Sequence, residues 1–215
     1  MSFAILFKLP KKPLNWKYGI VKRQNLQLKG RLVIKNCGKT EKKMEEQMDN
    51  HKFNEFMKIA KKLNDIEIIP LLMGSVGLEV ITGKSWDAQD LDIHIPGDKR
   101  GWEVPPELNI HNWNEIVTIM NTMEYSLVDL HEHEFSKEGL SVEFGIIDTL
   151  PSFAGVQLEN LEMQQMGEVK YYLLNPEQYL SVYESSSKDS YRADNNNNKD
   201  IRKIDFLKSM LNKIP

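Results

Sequence analysis

Asp90 and Asp92 stand two residues apart in a segment that alternates strictly, Asp90-Leu91-Asp92-Ile93-His94-Ile95. On a strand, alternate residues share a face, so Leu91, Ile93 and Ile95 turn one way while Asp90, Asp92 and His94 turn the other. Two carboxylates held side by side repel unless a cation lies between them. Mg²⁺ suits such a place, because it takes carboxylate oxygen together with phosphate oxygen and water. Upstream, Leu72-Met73-Gly74-Ser75 followed by Gly77 and Leu78 reads as a strand that delivers a Gly-Ser turn into a helix. A glycine lets a phosphate approach the backbone closely. The N–H groups that open the helix, and the Ser75 hydroxyl, can donate to phosphate oxygens. Lys84, after Gly83, is a further candidate phosphate contact. Together these residues suit metal-assisted chemistry on a polyphosphate.

Met73-Gly74-Ser75 and Asp90-Leu91-Asp92-Ile93 resemble the hallmark of the nucleotidyltransferase superfamily, which is a hydrophobic residue, Gly-Ser or Gly-Gly, a helix, and Asp-x-Asp among hydrophobics. Residues 74–96 are similar to members that act on small molecules or RNA ends, including antibiotic nucleotidyltransferases and toxin nucleotidyltransferases of abortive-infection systems. The resemblance spans residues 66–211 and implies an α+β (mixed α/β) fold, a nucleotidyltransferase-like mixed sheet flanked by helices with a C-terminal helical tail. It implies one or two Mg²⁺ ions and a nucleoside triphosphate as substrate. The nucleoside monophosphate would pass to an unknown acceptor, which is a small molecule, an RNA end or a protein. A third carboxylate is expected on a later, neighbouring strand, and Glu143 and Asp148 compete for that place. Glu143 shares the polar face of its strand with Ser141 and Gly145, opposite Val142, Phe144 and Ile146, so it is the better candidate for metal ligand or proton acceptor. The superfamily usually has Asp there. A Glu keeps a second reading open, that of a catalytically inactive binding or regulatory protein on the same fold. By the same resemblance, Lys188, Arg192 and Lys199 after the Asn175-Pro176-Glu177 helix start would contact phosphate or acceptor. A toxin-type member would also imply an antitoxin-like protein partner.

The elements that must position these residues follow from periodicity. Phe53, Phe56, Met57, Ala60 and Leu63 recur at helical spacing. Residues 66–73 read as a buried strand and residues 75–81 as a short helix stopped by Gly83. Trp113, Ile116, Val117, Met120 and Met123 mark another helix. Residues 125–135 and 140–148 are expected to pair as a hairpin across Ser136-Lys137-Glu138-Gly139. Residues 169–174 read as a strand. Pro176, capped by Asn175, opens a helix expected to reach Ser190, and Ile201, Ile204, Leu207 and Leu211 line one side of the last helix. Residues 1–39 read as an extension with a strand or hairpin over residues 20–35. The nucleotidyltransferase-like domain is expected over residues 40–215, with the tail from Pro176.

Bulk properties exclude several classes. With 28 Lys and Arg against 31 Asp and Glu, the net charge of -3 gives no general affinity for nucleic acid or anionic membrane. The lone Cys37 can form neither an internal disulfide nor a thiolate zinc site, which suits a reducing cytoplasm. No apolar run is long enough to span a membrane, and the N-terminus lacks the order of a secretory signal. His131-Glu132-His133 with Asp129 could offer metal ligands if it lies on a strand, but polar residues near a hairpin turn are the plainer reading. Trp86 and Trp102 flank the Asp-x-Asp strand and could stack on a base or acceptor, or serve packing alone.

Overall fold

The computed structural model describes residues 50–188 and 199–212. The expected N-terminal extension, its hairpin, and Arg192 therefore lie outside the described residues. Among those described, seven strands form one mixed sheet in the order β3-β4-β5-β2-β1-β7-β6. They are β1 Leu71–Leu72, β2 Leu91–Ile95, β3 Ser126–Asp129, β4 Glu134–Lys137, β5 Leu140–Ile146, β6 Glu162–Met166 and β7 Val169–Leu173. β2 runs parallel to β5 and antiparallel to β1, and β1 runs parallel to β7. This is the mixed α/β sheet flanked by helices that the sequence implies.

Helices cover both faces. α1 (Asn50–Asn64) and α4 (Trp113–Thr122) lie on one side, with the short α3 (Pro106–Asn109) nearby in sequence. Phe56, Ile59, Ala60 and Leu63 of α1 are fully buried with Leu91, Ile93 and Ile95 in one apolar cluster. Burying each such large side chain contributes about 1.5–3 kcal/mol. Phe56 meets Tyr171 of β7 edge-on at 5.3 Å. The Asn64 amide ends α1 by donating to Ile68 O at 2.9 Å and accepting from Lys170 N at 2.8 Å.

The other face carries α2 (Gly74–Thr82), α5 (Leu150–Ala154), α6 (Pro176–Ser186) and α7 (Lys199–Leu211). Leu71, Leu78, Leu150, Tyr179, Ile204 and Leu207 share a second apolar cluster there. Since Leu91, Ile93 and Ile95 belong to the first cluster, the polar face of β2 must turn toward these tail helices. α6 begins with a full capping box: Asn175 Oδ1 accepts from Gln178 N at 2.9 Å, and Gln178 Oε1 accepts from Asn175 N at 3.0 Å.

Several elements differ from the sequence expectation. The strand expected over residues 66–73 shrinks to Leu71–Leu72, because the chain first turns at Glu67 (φ 63) and Pro70 has no N–H for a ladder. The first arm of the expected hairpin is two strands, β3 and β4, broken by a turn at residues 130–133. The Asp129 carboxylate accepts from the N–H of His131 at 2.7 Å and of Glu132 at 3.2 Å, and this local bonding builds the turn. Ser136 and Lys137 belong to β4, so only Glu138 and Gly139 make the turn into β5. β6 was not expected; its sequence Glu162-Met163-Gln164-Gln165-Met166 shows little apolar alternation because it is an exposed edge strand. α6 stops at Ser186, short of Ser190. Ile201 is 50 % exposed, so the apolar side of α7 is carried by Ile204 and Leu207.

Candidate active site

β1 and β2 bring the two halves of the sequence motif together. Met73 N donates to Asp92 O at 3.0 Å, extending the antiparallel ladder to the start of α2. Gly74 follows with φ +60, and a Cβ placed there would strike the Asp92 carboxylate. Only glycine permits both the left-handed backbone and this approach. The Asp92 carboxylate therefore lies against the first residue of a nine-residue helix. The residue before that helix, Met73, makes no side-chain cap bond, and N–H groups at a helix start suit an anion. Gly77, one turn in, leaves room for the Tyr179 hydroxyl, which donates to Leu72 O at 3.1 Å and locks α6 onto the strand-helix turn.

The tail helices close the site from the other side. Lys203 of α7 donates to Ser75 Oγ at 2.9 Å, lies 4.0 Å from Asp200 Oδ1, and stands over the Tyr183 ring at 4.7 Å. Ser186 of α6 donates to Asp200 Oδ2 at 3.1 Å, tying the two tail helices together. A cavity of about 450 Å³ opens between these parts, lined by Gly74, Ser75, Asp90, Asp92, Arg202 and Lys203 among others. Asp200 lines it as well, so its wall carries both carboxylates and cations. Trp86 forms part of the wall. The buried Glu79 carboxylate accepts from Trp86 N at 2.6 Å, Thr82 Oγ1 accepts from its indole at 3.1 Å, and Phe206 of α7 meets its ring edge-on at 5.1 Å.

Glu143 stands directly opposite Asp92 in the parallel β2–β5 register. Burial pushes its carboxyl up to about 7, and the negative charges of Asp92, Asp90, Glu134 and Glu132 push the same way. It lines a second pocket of about 180 Å³ that shares Asp92, His94, Thr149 and Phe153 with the larger cavity. Asp148 follows β5 in a separate turn, where its Oδ2 accepts from Gly97 N at 3.0 Å, and it lines neither cavity. The His94 ring lies across Gly145, at which a Cβ would strike it.

Among the described residues, no group of three or more His, Cys, Asp or Glu side chains is gathered as a metal-ligand set. Asp90 and Asp92 thus share the large cavity, while Glu143 stands in the pocket beside it. Lys84 is placed over the Trp86 and Phe206 rings at 4.1 and 4.8 Å and is not in the cavity wall. Lys188 is exposed beyond the end of α6 and is also not in the wall. Lys199 opens α7. The cations that do line the cavity are Arg202 and Lys203, which belong to no motif of the sequence. The available signal was their position beside Ile204, on a helix whose apolar residues dock near the Gly-Ser turn. The His131–His133 stretch is no strand face. His131 tilts against Trp102 with ring centroids 5.1 Å apart, and buried His133 places Nε2 2.8 Å from Pro106 O, its pKa lowered by burial.

No model of a known protein family matches the chain. One curated relative does: the uncharacterised protein YnaI of Bacillus subtilis (strain 168) is 38% identical over 160 residues, covering 74% of this chain and 97% of that protein. The chain belongs to the YnaI family. The matched length takes in nearly all of YnaI, so the family shares most of a domain with this chain. Among solved structures, an antigenic nucleotidyltransferase-like protein from Paracoccidioides brasiliensis overlays with a TM-score of 0.48 at 16% identity, over 74% of this chain and 76% of that one. No helix among the described residues is long and apolar enough to cross a membrane.

Proposed function

We propose that the chain is a Mg²⁺-dependent nucleotidyltransferase that moves a nucleoside monophosphate from a triphosphate to an acceptor hydroxyl. The observation that carries this reading is the contact at Gly74, which seats the Asp92 carboxylate against the start of α2 in a cavity that Ser75 and Lys203 also line. The donor set fits the ion. Mg²⁺ needs only one or two carboxylates beside phosphate and water oxygens, which Asp90 and Asp92 can supply. Burial holds the Glu143 carboxyl near 7, and a divalent cation would offset the negative charges of Asp92 and Asp90 that push the same way. Bound there, Mg²⁺ would supply positive charge to offset the negative charge that develops on the departing pyrophosphate.

The chain's own residues would do the rest. The N–H groups at the start of α2, the Ser75 hydroxyl, Lys203 and Arg202 would hold the outer phosphates. Trp86, fixed by Glu79 and Thr82, would offer a face to the base. The acceptor oxygen would bond to the α-phosphorus as the α–β bridging bond breaks, with the hydroxyl proton passing to Glu143. The lone Cys37 supports a cytoplasmic setting.

Calorimetry with ATP, GTP, CTP and UTP, in Mg²⁺ and in EDTA, tests the binding half. Binding should require Mg²⁺ and vanish in Asp90→Ala/Asp92→Ala. Pyrophosphate release in the presence of an acceptor tests the transfer half. One observation favours a second reading, that of a non-catalytic nucleotide-binding regulator: Glu143 is not gathered with Asp90 and Asp92 into one ligand set. Tight Mg²⁺-dependent binding with no pyrophosphate release for any acceptor would select it. The absence of any triphosphate binding would refute both readings.

A further inference from the structure

The Lys203 side chain is only 12% exposed, although a lysine head ordinarily stays in water. An ammonium withdrawn from water must be compensated by the groups around it. Ser75 Oγ accepts from its Nζ at 2.9 Å, Asp200 Oδ1 lies 4.0 Å away, and the centroid of the Tyr183 ring lies 4.7 Å away. All of these groups line the nucleotide cavity. Lys203 is therefore already placed at the Ser75 hydroxyl, beside the opening turn of α2.

Tyr183 is the rigid part of this cradle. It is buried, and its ring stacks on that of Tyr179 with centroids 6.1 Å apart. Tyr179 is in turn pinned by its hydrogen bond to Leu72 O at 3.1 Å. The Lys203 perch is thus tied through two rings to the strand that leads into Gly74. Burial pushes the Tyr183 hydroxyl well above its ordinary value, so the ring meets Lys203 as a neutral phenol. The attraction is that of a cation for the negative face of a ring, and it strengthens as water is removed. A lysine ordered only by its ligand loses rotamer freedom on binding, whereas one already ordered does not.

We propose that Tyr183 is a positioning residue for the triphosphate: its ring holds the Lys203 ammonium at Ser75 before the ligand arrives, so the outer phosphates meet a charge already in place. This deepens the nucleotidyltransferase reading and rests on it for the identity of the ligand. Lys203 donates to Ser75 while it stands over the ring, so the perch and the phosphate-binding position coincide. Weakening the perch should therefore weaken binding.

Inorganic tripolyphosphate with Mg²⁺ is the probe, because it carries the phosphates without a base. Its affinity for the full chain is read by calorimetry. Tyr183→Leu should weaken binding about tenfold, while Tyr183→Phe, which keeps the ring, should stay within about threefold of wild type. Tyr183→Leu combined with Lys203→Ala should bind no more weakly than Lys203→Ala alone, since the ring acts only through the ammonium. A Tyr183→Phe series bearing no, one, two and three ring fluorines keeps the test usable if Tyr183→Leu does not fold. Fluorine nearly preserves the shape while draining the negative face of the ring. Affinity should fall step by step along the series, to about a tenth with three fluorines. A ring that served packing alone would leave the series flat. Additive losses in the double variant, a flat or rising fluorine series, or no binding of tripolyphosphate by wild type would overturn the proposal. Failure of the transferase reading shows elsewhere: triphosphate binding indifferent to Mg²⁺, or no pyrophosphate release with any acceptor, would sink that reading while the fluorine series still fell.

Discussion

Replacing Glu143 by Gln removes a charge and keeps the shape, so it isolates the cost of ionising that carboxyl. In the folded protein the group is pushed from 4.5 to about 7. Each tenfold change in proton affinity corresponds to about 1.4 kcal/mol, so full burial would set an upper bound of about 3 kcal/mol. Glu143 is only half-buried, and solvent screening lowers this to about 1–2 kcal/mol. The folded state binds this proton more tightly than the unfolded state does. Its advantage is therefore complete below about pH 4.5 and is lost as the pH rises through about 7. Glu143→Gln cannot ionise and escapes that loss. In EDTA, the variant should match wild type near about pH 4 and exceed it by about 1–2 kcal/mol near about pH 8. For a chain of this size, that corresponds to a rise in melting temperature of about 2–8 °C. Urea unfolding at the two pH values gives the free energies directly. Mg²⁺ added at the higher pH should stabilise wild type more than the variant, because the cation offsets the same repulsion. A variant no more stable than wild type near about pH 8, or a difference that does not change with pH, would refute the half-buried, acidic surroundings of Glu143.

Gly74→Ala forces a Cβ into the Asp92 carboxylate at φ +60, so it should cost at least about 1–2 kcal/mol of stability and abolish triphosphate binding, read by thermal melting and calorimetry. Lys203→Ala removes a charge-assisted donor beside Ser75 and should weaken triphosphate binding about tenfold to a hundredfold, whereas Lys188→Ala, exposed and outside the cavity wall, should change it less than about threefold. Asn175→Ala breaks the capping box at the start of α6 and should lower stability by about 1 kcal/mol, seen as a drop of about 2–4 °C in melting temperature.

Much of this was written locally in the chain. The alternation around Asp92 gives β2 and its buried side, the helical period gives α1 and α4, Gly83 ends α2, and Asn175-Pro176 starts α6. Such signals depend on neighbours a few residues apart, so they survive without tertiary context. The errors share a cause. The polar edge strand β6 has no buried face to set a period, and the break between β3 and β4 comes from a side chain, Asp129, bonding to its own backbone.

The sequence by itself determined the polar face shared by Asp90, Asp92 and His94, the glycine that must precede Ser75, and the polar side of β5 on which Glu143 lies. Tertiary structure decided which groups meet. The parallel pairing of β2 with β5 sets Glu143 beside Asp92, and the docking of α7 brings Lys203 to Ser75 while leaving Lys84 on aromatic rings and Lys188 in solvent. Periodicity fixes the face on which a residue stands. The partner across that face is chosen by long-range packing, which no local spacing encodes.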